Sequence, residues 1–206
     1  MSSEWSSVKR EMRWIIRLLL FPLAVMWALQ VVNTLTMGAL LRFGVEPRTL
    51  IGLRGIVFAP LLHGGFIHLM ANSVPWLVAG GLIVSSDVSE LVIVTATSWV
   101  LGGLGAWLCG ATGSVHVGCS GVVFGFFGFL LVSGWLKKSF FGIALSLLLG
   151  GTYGVVILLG ALPTQSGISW QTHAFGLLGG VLAAFIIARR QARAARKLVG
   201  RAARAA

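Results

Sequence analysis

Two side chains in this sequence could together perform nucleophilic chemistry. Ser120 and His173 each sit in a nearly all-apolar stretch. A neutral imidazole can take a serine proton as general base, after which the alkoxide attacks a carbonyl. Taken alone, a serine in such a segment more often bonds back to its own helix. Its neighbours argue for more. Gly121, Gly125 and Gly128 follow Ser120 at the spacing of one helical face, bordered by Phe124, while Gly176 and Gly180 follow His173 at i+3 and i+7. Smooth glycine faces let helix backbones approach closely, which would bring the hydroxyl and the imidazole within hydrogen-bonding reach.

Acyl transfer also needs donors for an oxyanion. Ser120 falls in the first turns of its helix, where backbone N–H groups lack intrahelical partners. His68 and Asn72 are four apart, so they share a helix face, and both can donate from the side chain. His63, five before His68, points elsewhere and reads as a histidine holding loop backbone at the interface. The five acids are Glu4, Glu11, Glu46, Asp87 and Glu90. All are expected in turns, in the lead or in the interfacial loop, so no buried carboxylate is available to orient His173, and the arrangement is a dyad. His63, His68, His116 and His173 could instead ligate a metal or haem. The His-Glu-x-x-His pairing of a zinc hydrolase is missing, and no metal is expected. Gly118-Cys119-Ser120-Gly121-Val122 lacks the last glycine of a hydrolase elbow, and Cys119 reads as a small packing residue. A disulfide between Cys109 and Cys119 stays open.

The elements that must position these groups are membrane spans. Of 206 residues, 57% are hydrophobic and only 10% charged, with a mean hydropathy of +0.93, which no ordinary soluble domain matches. The spacing predicts an all-α bundle of six transmembrane helices over residues 18–41, 61–84, 91–108, 118–136, 140–162 and 169–188, flanked by a lead at 1–17 and a basic tail at 189–206. The first apolar run is longer than a signal h-region and reads as a retained span. Residues 42–60 alternate charges with Leu50, Ile51, Leu53, Ile56, Val57 and Phe58. They should lie half submerged in the interface, with a short helix opening at Pro47.

The net charge of +11 does not indicate nucleic acid, because the bases gather at the chain ends and in one loop. Placing both termini in the cytoplasm puts Lys9, Arg10, Arg13, Arg17, Lys137, Lys138 and the seven tail bases inside, and leaves only Arg42, Arg48 and Arg54 outside. His68, Ser120 and His173 then lie near the outer face.

His63, His68 and Asn72 on the second span, Gly118-Cys119-Ser120-Gly121 on the fourth and His173-Ala174-Phe175-Gly176 on the sixth resemble the signature of rhomboid intramembrane serine proteases in their compact six-span form. The resemblance runs from about Arg54 to Ala188. It implies Ser120 as nucleophile, His173 as base, and the Ser120 N–H, His68 and Asn72 as oxyanion donors. It also implies that Gly118 shapes the oxyanion loop and that Phe124 stacks beneath His173. The implied activity is cleavage of the transmembrane segments of membrane proteins near their outer ends, at small residues, in the plasma membrane and without a cofactor. The family's first loop commonly carries a Trp-Arg pair where this chain has Leu53-Arg54. Two other classes remain as alternatives: an inactive relative that binds transmembrane helices, and a small transporter or haem-binding membrane protein.

Overall fold

A computed structural model describes residues 12–163 and 167–205, with side chains to residue 198. Most of the expected lead therefore lies outside the described residues. Six main helices follow in order: α1 Met12–Leu35, α2 Phe66–Ser86, α3 Val88–Cys109, α4 Ser120–Leu136, α5 Phe140–Gly160 and α6 Trp170–Ala205. The protein is a polytopic helical membrane bundle. Five of these helices are long and apolar enough to cross a bilayer, and the sixth, α4, has 17 residues. At about 1.5 Å per residue α4 still reaches roughly 25 Å. It lies in the middle of the bundle, and Val122, Val123, Phe126 and Phe129 are all buried.

Three boundaries differ from expectation, each for a local reason. Helix α1 ends at Leu35 rather than 41, because Met37 and Gly38 turn left-handed (φ 52 and 87). Asn33 secures that reversal by accepting from the Leu40 N–H (3.1 Å) and donating to the His63 carbonyl (3.4 Å). Helix α2 starts at Phe66 rather than 61, which leaves His63 in a loop. No helix opens at Pro47, since Arg48 also has positive φ (59) and the next helical turns begin at Ile51. In addition, α6 runs on through the basic tail as one helix. Within α1, residues Ile16–Leu20 form a wide π turn just before Pro22, whose missing N–H would otherwise interrupt the regular ladder.

The first loop is fastened from α3. Trp99 donates to the Ile56 carbonyl and Trp107 to the Thr49 carbonyl, both at 2.8 Å. Arg48 reaches the Leu108 carbonyl (3.0 Å) and Thr112 Oγ1 (2.6 Å). Arg54 donates to the Arg42 carbonyl (2.8 Å) and lies over the Phe43 ring. Leu50, Ile51, Val57 and Phe58 stay exposed, an apolar face suited to the bilayer interface. Trp107→Phe deletes the hydrogen bond to the Thr49 carbonyl and shortens a ring packed against Val45, Ala59 and Ala106, so it should lower stability by roughly 1–3 kcal/mol. Thermal unfolding in detergent would read this, and an unchanged transition would remove the anchoring role.

Helix α6 is pressed against α3 and α4. A Cβ on Gly176 would stand 2.0 Å from the Gly121 carbonyl oxygen, and one on Gly180 would stand 1.8 Å from that of Gly125. Gly179 meets the Ser98 backbone in the same way, with 2.7 Å to its Cα. At the end of the bundle away from Ser120, buried Glu90 accepts from Lys137 Nζ at 2.6 Å and from Gln191 Nε2 at 3.0 Å. This cluster ties the α2–α3 and α4–α5 turns to α6.

Candidate active site

Ser120 opens α4, and His173 lies in the first turn of α6. The glycine contacts draw these helices together, and Ser120 Oγ reaches His173 Nε2 at 2.7 Å. His173 Nδ1 lies 2.9 Å from the Gly160 carbonyl oxygen at the end of α5. A carbonyl can only accept, so Nδ1 carries the proton, and Nε2 is free to accept from the serine hydroxyl. The imidazole also stacks on Phe124, with centroids 4.1 Å apart and planes 12° from parallel. Residue 160 has no room for a side chain: a Cβ there would be 2.5 Å from the Phe124 ring.

On the opposite wall, His68 has the other tautomer. The Gly64 N–H donates to its Nδ1 over a long 3.4 Å, so its proton sits on Nε2, on the edge that faces Gly118. A Cβ on Gly118 would be 2.9 Å from that nitrogen and 3.7 Å from Ser120 Oγ, and the residue's φ of 117 favours glycine. Asn72, one turn further along α2, donates to the His68 carbonyl at 3.1 Å. His68, Asn72, Ser120, Phe124, Trp170 and His173 all line one cavity of about 700 Å³.

His63 stands behind this wall, fully buried, with its ring 5.0 Å from that of His68. Its Nε2 accepts from the Cys119 N–H at 3.4 Å, while the Gly118 N–H donates to the Ala59 carbonyl at 2.9 Å. Both residues just before Ser120 thus have their amides engaged. The N–H groups of Ser120 and Gly121, at the start of α4, have no carbonyl one turn back within the helix. Cys109 and Cys119 are free thiols, the first exposed and the second buried. Among the described residues no three His, Cys, Asp or Glu side chains gather as metal ligands would.

Sequence reasoning missed two parts of the site. One is the Gly160 carbonyl, since a main-chain acceptor has no signature in residue type. The other is His116. Ser114 Oγ donates to the Ala111 carbonyl (2.6 Å), so it accepts from His116 Nε2 (2.9 Å), and His116 Nδ1 then accepts from Ser169 Oγ (2.6 Å). Burial holds the His116 imidazole below its usual range, which favours the neutral ring this wiring requires. Ser169 in turn bonds Thr172, the residue before His173. His116 therefore links the loop that delivers Ser120 to the helix that delivers His173.

Residues 51–190 match the family model for the rhomboid domain. The chain belongs to the rhomboid family. That family is one of intramembrane proteases, and this rhomboid is a multi-pass membrane protein. An uncharacterized Mycobacterium tuberculosis protein is 39% identical over 90% of this chain and 82% of its own length. An uncharacterized Mycobacterium leprae protein is 35% identical over 88% of this chain and 76% of its own. A Bacillus subtilis protein named "Putative rhomboid protease YdcA" is 31% identical over 65% and 66% respectively.

Proposed function

We propose that this rhomboid is a serine endopeptidase that cleaves transmembrane segments of other membrane proteins near their outer ends through a Ser120–His173 dyad. The observation that carries the reading is the 2.7 Å bond from Ser120 Oγ to His173 Nε2, with Nδ1 held on the Gly160 carbonyl. The Ser120 proton passes to Nε2 as Oγ attacks the scissile carbonyl. The resulting oxyanion accepts from the Ser120 N–H, His68 Nε2–H and the second Asn72 Nδ2–H, the first being given to the His68 carbonyl. As the tetrahedral species collapses, His173 returns the proton to the leaving amine, which departs and leaves an acyl-serine. Water then takes the amine's place, with His173 again as base, and releases the second product and free Ser120.

Membrane placement follows from charge. With both termini cytoplasmic, thirteen of the sixteen Lys and Arg lie inside and the cavity opens to the outer side of the plasma membrane. Substrates then present the outer turns of a span to the site. A serine-directed fluorophosphonate tests the reading without a known substrate. It should label the wild type at Ser120 and label His173→Ala at least about 100-fold more slowly. Equal labelling of the two proteins would sink the dyad.

The His116 link gives a second expectation. Ser169→Ala and His116→Ala should each slow cleavage several-fold, mainly in kcat. Together they should slow it no more than either alone, because both remove the same interaction. Fully multiplicative losses would mean that the two side chains act separately.

A further inference from the structure

The activity makes no use of the far end of α6. That helix does not stop where its apolar stretch stops, and the two parts share one exposed face. Leu178, Leu182 and Phe185 are exposed along the spanning part. The same line continues at helical spacing through Arg189, Arg193 and Arg196, with Arg190 and Lys197 beside it, all exposed. Ala183, Ala184 and Ile187 mark the buried side, and Gln191 bonds Glu90. At 100° per residue Arg189, Arg193 and Arg196 point roughly 125–175° away from that buried side, and Arg190 and Lys197 about 65–90°. No acidic residue follows Glu90 in the sequence, so the tail has no acid of its own to neutralise them.

We propose that this face docks anionic phospholipid, with an acyl chain along Leu178, Leu182 and Phe185 and the phosphate and negative headgroup on Arg189, Arg190 and Arg193. The register of the two halves favours lipid over a soluble partner: the bases begin on the helix face where hydrocarbon contact ends. Arg189 to Lys197 spans about 12 Å of helix. The first three bases lie within a headgroup layer of roughly 5–8 Å, and Arg196 and Lys197 lie within a Debye length of it. Guanidinium groups suit this role because they grip phosphate in a bidentate fashion.

The test uses the full chain reconstituted in phosphatidylcholine bilayers, with spin-labelled phosphatidylglycerol compared against spin-labelled phosphatidylcholine. Phosphatidylglycerol should associate about fivefold more strongly, the factor that one base near an anionic surface supplies. That preference should fall towards one as salt is raised to about 1 M, and also in the triple variant Arg189→Gln, Arg190→Gln, Arg193→Gln. The salt arm uses unaltered protein, so a poorly folding variant does not decide the matter. Equal association of the two lipids overturns the proposal, as does a preference that survives both salt and substitution. Retention of a labelled oligoribonucleotide by the solubilised protein, with the lipid ratio at one, overturns it in favour of a nucleic-acid surface. The inference rests on the fold and not on the proteolytic reading, so either can fail alone.

Discussion

Ser120→Ala is expected to abolish cleavage of a model transmembrane substrate, with a loss of about 10⁴-fold or more. The substitution removes one oxygen that lies 2.7 Å from His173 Nε2 and leaves the neighbours that hold the loop. The Gly118 N–H keeps the Ala59 carbonyl, and the Cys119 N–H keeps His63. The fold should therefore survive, and unfolding temperature and substrate binding should stay close to wild type while turnover disappears. That separation matters, because a loss of both activity and stability would say only that the bundle had been damaged. Purified protein, gel-resolved products and a melting curve on the same sample suffice. Product formation by the variant at more than a few per cent of the wild-type rate would remove Ser120 as the nucleophile.

The second large effect comes from a single methyl group. Gly176→Ala would put a Cβ 2.0 Å from the Gly121 carbonyl oxygen, and Gly180→Ala would put one 1.8 Å from that of Gly125. Neither obstacle is a flexible side chain, so α4 and α6 must separate by about 1 Å, at an overpacking cost of roughly 1–3 kcal/mol. The same displacement acts on the Ser120–His173 distance, and a misplacement of that size costs about 100-fold in rate. Gly151→Ala is the matched control, because nothing lies within 4 Å of the added methyl there; its rate and melting should stay near wild type. If Gly176→Ala behaved like Gly151→Ala, close approach of the helices would not be what sets the site.

The six-helix architecture was legible because apolar runs of span length are separated by charged or Gly-rich turns. The helix pairing was legible in part, from the repeats at 121, 125 and 128 and at 176 and 180. What could not be read has common physical causes. Helix ends depend on single capping contacts, such as those of Asn33, whose partners lie in another segment. The tryptophans that fasten the first loop sit on α3, some 43 to 58 positions from the carbonyls they hold. The geometry around His173 depends on a main-chain oxygen at a residue without a side chain, and residue type carries no trace of such a group. In sequence His116 reads only as a possible metal ligand, because its link to Ser169 bridges 53 positions.

The Gly160 carbonyl has an electrostatic consequence. A carboxylate in its place would carry a full charge into a low-dielectric interior, where desolvation costs several kcal/mol per ion even after relaxation. A carbonyl orients His173 with a dipole alone, so Ser120, His173 and Gly160 are electroneutral at rest. In the proposed dyad mechanism charge arises there only during turnover, and then as a matched pair, imidazolium on one side of the reacting carbon and oxyanion on the other. Each stabilises the other, and both vanish together when the tetrahedral species collapses. Such a site stores no ion between cycles, which suits a catalyst whose surroundings solvate ions poorly.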